Sequence, residues 1–233
     1  MEIRTNRRLT CLLATLCLCC LGTWSQKPYP KDILPDETSQ EVKFKGTAPT
    51  ISDFATAFFT SDEDDAWPEV WGNAYNAWQR HLKGKPQTKG SKLVVDTSNG
   101  FLRWDLNYLE AFDDMEEEDG DLRADVQMCF WNCADGKHKL FAVALNSQYK
   151  RVYQNGQYDG IQFFIYDNDV HRMTRVNEEE VGAYIERKYE DDEMPALGYS
   201  LPRQGKNIIV HIHHPKRRAT KQLVWDGMRF QQN

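Results

Sequence analysis

Residues 124–145, ADVQMCFWNCADGKHKLFAVAL, decide the fold. Two apolar runs, 124–132 and 138–145, meet across Ala134-Asp135-Gly136-Lys137. An Asp-Gly pair between such runs is a strong hairpin signal, because both residues tolerate the positive φ of a tight turn. Closing the hairpin sets Cys133 opposite His138 and Trp131 opposite Leu140. Side chains alternate along a strand, so Cys129, Trp131, Leu140 and Ala142 share one face and Met128, Phe130, Phe141 and Val143 the other. Neither face is polar. A hairpin apolar on both sides belongs in the middle of a sheet, with helices or a second sheet over each face.

Further hairpins flank this one. Residues 92–96 and 101–107 surround Ser98-Asn99-Gly100, and a two-residue Asn-Gly loop there would face Asp96 with Arg103. Residues 161–166 and 170–176 pair around Asp167-Asn168-Asp169, and residues 178–189 read as a short helix. Strands then follow at 196–201 and 207–214. A Pro215-Lys216-Arg217-Arg218 tip leads to 221–225, and Asp226-Gly227 leads to 228–231. The acidic run 113–121 lacks the alternating ligand order of a calcium loop and reads as a solvated connection.

Before residue 91 the periodicity is helical. Ser52 can cap a helix over 53–59. Pro68 opens a second, carrying Trp71, Ala74, Tyr75, Trp78 and Leu82 until Gly84 and Pro86 stop it. That aromatic stripe would suit sugar stacking, but a core-facing helix produces the same spacing and is the better reading. Asp62 to Asp65 sit between the helices, where they favour the next N-terminus. The expected fold is therefore α+β: an antiparallel β-meander or sandwich-like sheet of about eight to ten strands with a small N-terminal helical layer. One domain spans 50–233, helical over about 50–90 and β-rich from about 91.

The first 25 residues read as a secretory signal peptide. Arg4, Arg7 and Arg8 precede an apolar stretch, 9–22, too short to span a bilayer, and a cut after Ser25 leaves Gln26 first. A lipidated Cys17, Cys19 or Cys20 is the competing reading, but the residues before them are Leu16, Leu18 and Cys19 rather than small ones. Residues 26–49, interrupted by Pro28, Pro30, Pro35 and Pro49, form an extended polar lead-in. Removing the signal leaves 26 basic against 34 acidic side chains, net −8, which argues against nucleic acid as a partner. The mean hydropathy of −0.70, with 40% hydrophobic and 27% charged residues, fits a soluble globular protein, and no transmembrane span is expected in the mature chain.

Several segments resemble those of uncharacterised secreted proteins of Bacteroidota. They are residues 95–101 (VDTSNGF), 128–133 (MCFWNC) with 135–138 (DGKH), 164–168 (FIYDN) and 223–230 (LVWDGMRF). The resemblance implies export to the periplasm or cell exterior and a β-rich body. It brings no functional residues with it.

Three constellations bear on chemistry. His211 and His213, at i and i+2, point to one face of a strand and would share a zinc ion if a neighbouring strand supplied a third ligand. The alternation with Ile208, Val210 and Ile212 is also that of an ordinary half-exposed strand, and Lys221 across the hairpin would repel a cation. Cys129 and Cys133 lie roughly 13 Å apart on an extended strand, too far for a disulfide unless it bends near Trp131. The thiol-dependent reading has His138 activate Cys133. Lys216, Arg217 and Arg218, with Lys221, form a basic tip for an anionic glycan, lipid phosphate or acidic partner, against the plainer reading of a solvated loop. No Gly-x-Ser-x-Gly or His-Glu-x-x-His is present. The leading expectation is a non-enzymatic binding or interaction protein whose partner is a glycan, an envelope component or another protein, ahead of a metal-assisted hydrolase using His211 and His213.

Overall fold

The computed structural model describes residues 39–60, 69–107, 122–155, 159–187 and 194–233. The expected signal, residues 26–38 of the lead-in, Pro68 and the acidic runs at 62–65 and 113–121 lie outside them, as does the side chain of Trp71. In chain order the elements are β1 (Ser39–Glu41), α1 (Ile51–Phe59), α2 (Glu69–Leu82), β2 (Lys92–Asp96), β3 (Phe101–Asn107), β4 (Leu122–Asn132) and β5 (His138–Tyr149). There follow β6 (Val152–Tyr153), β7 (Gly160–Asp167), β8 (Arg172–Val176), β9 (Ala196–Ser200), β10 (Asn207–His214), β11 (Arg217–Trp225) and β12 (Phe230–Gln232). An eight-stranded sheet runs β1-β8-β7-β5-β4-β3-β2, with β6 also paired to β5, and a four-stranded sheet runs β12-β11-β10-β9. All the pairings are antiparallel, so both sheets are largely meanders, and the fold is more nearly all-β than α+β.

The central hairpin forms in the expected register. Trp131 pairs with Leu140, and the Cys133 N–H donates to the His138 carbonyl at 2.9 Å. One face, with Met128, Phe141 and Val143, packs under α1 and α2. Phe54 of α1 lies 5.2 Å from each of the Phe130, Phe141 and Tyr166 rings. The other face, with Cys129, Trp131, Leu140 and Ala142, meets Tyr199, Ile208, Val210, Leu223, Trp225 and Phe230 of the small sheet. A fully buried Phe or Leu contributes about 1.5–3 kcal/mol by leaving water, so two apolar covers make β4 and β5 the energetic centre of the molecule.

Several local expectations need correction. Thr50, two residues earlier than Ser52, caps α1: the Asp53 carboxylate accepts from the Thr50 N–H and hydroxyl, both at 2.7 Å. The buried face of α2 runs through Ala74, Ala77 and Trp78, leaving Tyr75 and Leu82 exposed. The β2–β3 loop is four residues long rather than two, so Asp96 pairs with Phe101 and not with Arg103. Its carboxylate accepts from Ser98 and from both nitrogens of Asn99, which closes a 3-10 turn over Thr97–Asn99 before Gly100 at φ +63°. Residues 178–187 are not helical. Val181, Ala183 and Ile185 are buried at every second position, and Gly182 takes φ +72° where a Cβ would meet the Phe230 carbonyl oxygen at 2.5 Å. Part of the lead-in is ordered: Ser39–Glu41 adds to β8, held by Arg172, which donates to the Ser39 hydroxyl and carbonyl at 2.8 Å each. Arg217 and Arg218 belong to β11, so the tip is a Pro215-Lys216 turn.

Candidate functional site

The small sheet covers only the apolar half of the large sheet's face. Beyond its edge strand β9, the same rows of β3, β4 and β5 turn polar: Arg103 and Asp105, then Asp125 and Gln127, then Asn146 and Gln148. The register aligns them, since Asp105 pairs with Asp125 and Asp125 with Asn146, while Arg103 pairs with Gln127. Directly paired residues share a face. A cleft of about 500 Å³ opens here, lined by Lys92, Arg103, Asp105, Arg123, Asp125 and Gln148 among others.

Arg103 stands between two carboxylates. Its Nε donates to Asp105 Oδ1 at 2.8 Å, and Nη2 lies 4.0 Å from Asp125 Oδ2. Burial works against the guanidinium charge, but Asp125 and Asp105 outweigh it and raise the Arg103 pKa. Asp125 is 6% exposed and accepts from Gln127 Nε2 at 2.6 Å and from Asn146 Nδ2 at 3.4 Å. Burial pushes its pKa above the ordinary carboxylate value despite Arg103 and these amides.

The two amides also pin the edge of the small sheet. Asn146 Oδ1 accepts from the Tyr199 N–H at 2.7 Å while its Nδ2 donates to the Tyr199 carbonyl at 2.9 Å, as a neighbouring strand's backbone would. Gln127 donates to the same carbonyl at 3.2 Å and accepts from the Leu201 N–H at 2.9 Å. The Tyr199 N–H and carbonyl on the edge of β9 are thereby satisfied, and Asp125 is held by side chains that are themselves fixed.

The expected site residues fall elsewhere. His211 and His213 do share a face of β10, away from the core that holds Ile208 and Val210. His211 Nε2 lies 3.0 Å from Ser200 Oγ and its ring stacks on Tyr153 at 5.2 Å, whereas His213 Nδ1 accepts from the Tyr153 N–H at 3.0 Å. Their partners on β11 are Thr220 and Arg218; Lys221 pairs with Val210, so it is on the opposite face from the imidazoles and not across from them. Among the described residues no three of His, Cys, Asp and Glu come together as a metal site. Cys129 and Cys133 are both free and buried; burial, with Asp135, raises the Cys133 thiol to about 12, and burial raises Cys129 well above its ordinary value. His138 is engaged with Asp135 on one side and with Asp167, at 3.5 Å, on the other. Lys216, Arg217 and Arg218 are exposed, and Lys221 is half-buried.

No protein-family model, curated protein or solved structure matches the chain.

Sequence reasoning passed over Asp125 and Gln127 because they stand inside a run read as apolar. The signal lay in a polar residue at every second position on three separate strands, and it becomes a site only once the register sets the rows side by side.

Proposed function

We propose that the protein is an exported, non-enzymatic binding protein whose ligand is a neutral saccharide held in the cleft of Arg103, Asp105 and Asp125. The observation that carries this reading is the Arg103 guanidinium lodged between two carboxylates in an open, polar cleft. A sugar hydroxyl both donates and accepts, and planar guanidinium, carboxylate and amide groups offer both roles in fixed directions. The cleft's mixed charge disfavours the alternatives: Asp105 and Asp125 repel a phosphate dianion, and Lys92, Arg103 and Arg123 repel a metal cation. Asp125, held by Gln127 and Asn146, which the backbone at Tyr199 and Leu201 fixes, loses little freedom on binding, which favours affinity. Export rests on residues 1–25 and on the resemblance to secreted proteins, and it places the ligand among glycans of the cell envelope or surroundings. The hydrolase reading draws no comparable support, since His211 and His213 are each engaged by a neighbour.

Calorimetric titration with a panel of neutral mono- and oligosaccharides tests the proposal. Saturable binding to the wild type, weakened by about tenfold or more in Arg103→Ala and Asp125→Ala, supports it. Saccharide binding unaltered by both substitutions, or no binding across the panel, overturns it.

A further inference from the structure

A groove of about 600 Å³ lies on the far side of the small sheet, between the segment that follows β6 and the β10–β11 turn. Its lining includes Tyr153, Asn155, Met194, His213, Pro215 and Arg218. His213 and Arg218 are paired across β10 and β11, so their side chains leave the sheet on the same face.

The hydrogen bond from the Tyr153 N–H to His213 Nδ1, at 3.0 Å, assigns the imidazole's roles. An Nδ1 that accepts carries no proton, so the neutral ring bears its proton on Nε2 and presents an N–H donor there. Burial first, then Arg218 and His211, lower the His213 pKa, which keeps the ring in this neutral form at pH 7. The ring is also held in place, with the Tyr153 ring edge-on at 5.0 Å. Tyr153 can lie so close to the sheet because residue 198 is glycine: a Cβ there would fall 2.1 Å from the Tyr153 ring. No described residue accepts from Nε2. Arg218 is exposed, and among the described residues it pairs with no carboxylate and no acidic side chain lines the groove. Two donors, one of them a full positive charge, are thus set side by side with no acceptor for them among the described residues.

We infer that this groove binds a tetrahedral oxyanion, the phosphate or sulfate group of a small ligand, with one oxygen accepting from His213 Nε2–H and others from the Arg218 guanidinium. The guanidinium fork matches two oxygens of such a group at once. The site shares no residue with the saccharide cleft, so either can fail without the other. Arg217 supplies the control, because it pairs with His214 and leaves β11 on the opposite face.

The test is titration of the full chain with inorganic phosphate, and separately with sulfate, followed by amide shifts in 1H–15N spectra up to about 20 mM anion, a range that captures millimolar affinity. Saturable shifts at Tyr153, His213 and Arg218 are expected. Arg218→Ala, an exposed substitution whose unchanged melting temperature confirms the fold, should weaken binding by about tenfold, and Arg217→Ala by less than about twofold. His213→Ala should match Arg218→Ala. A response to both anions supports an oxyanion site open to either ester, and a response to phosphate alone supports a phosphate ester. Equal losses from Arg217→Ala and Arg218→Ala overturn the proposal in favour of diffuse charge at the tip, as does the absence of saturable shifts with either anion.

Discussion

Asp125 is a carboxylate held where its charge is disfavoured. A carboxyl whose pKa rises on folding binds its proton more tightly in the native state, so its contribution to stability is full below the unfolded pKa and falls as pH climbs through the folded one. Asp125→Asn should therefore stabilise the protein at pH 8 relative to pH 4 while removing an acceptor from the saccharide cleft. Denaturant melts at the two pH values, paired with binding, would show gain and loss in one variant. Glu178 is a second carboxyl of this kind. Burial, then Glu179, lift it to about 7 against the opposing pull of Arg187 and Arg175, in a second cleft of about 510 Å³ that it shares with Tyr184 and Tyr199. At this carboxyl the native state therefore holds more proton than the unfolded chain between pH 4.5 and about 7, and its contribution to stability declines across that window. Glu178→Gln should flatten the decline and gain about 1–2 kcal/mol at pH 8, a figure discounted for the side chain's remaining contact with water. A variant that loses stability equally at pH 4 and pH 8 would point to lost packing instead.

Among the elements, β9 depends most on a single side chain. Asn146→Ala leaves both the N–H and the carbonyl of Tyr199 short of their closest partner, with Gln127 still reaching the carbonyl. The expected cost is about 2–4 kcal/mol, with the Tyr199 amide exchanging with solvent far faster than its neighbours on β10. Exchange unchanged at Tyr199 would show that the amide clip is dispensable. The β2–β3 turn is the other strict position: Gly100 sits at φ +63°, and a Cβ there would stand 2.7 Å from the Phe130 ring, so Gly100→Ala should cost about 1–3 kcal/mol in thermal or chemical melts. The elements differed in how openly their sequences announced them. The β4–β5 hairpin was legible because an Asp-Gly turn and apolar alternation on both faces agree on one register. Residues 178–189 suggested a helix because composition alone does not show that Gly182 will adopt a positive φ; the burial of Val181, Ala183 and Ile185 at every second position was the better guide. The polar cleft was invisible for another reason. Each strand contributes only two or three of its residues, and strand-to-strand register is a property of the fold rather than of any one segment.

For the whole molecule, the doubly covered sheet gives the sharpest expectations. Phe54 joins α1 to three aromatic rings of the sheet, and its replacement by alanine should cost about 3–5 kcal/mol by transfer and cavity formation, read from denaturant midpoints. The opposite cover hides both thiols, so Cys129 and Cys133 should resist a water-soluble alkylating reagent in the native protein and react fully in denaturant; prompt native alkylation would revive a thiol-dependent role. The three layers were foreseeable from the central hairpin alone, since two apolar faces demand two covers. What covers each face depended on the flanking segments, whose helical and strand periodicities differ. The N-terminal strand carries a consequence for how the chain assembles. Arg172 and Ser39, which hold β1 to β8, are 133 positions apart, and synthesis proceeds from the N-terminus. Ser39–Glu41 therefore emerges from the ribosome long before the strand it will pair with, and must wait unpaired while every intervening strand is made. Docking β1 is therefore a closing step that joins distant parts of the chain, and it has to wait until β8 has been made.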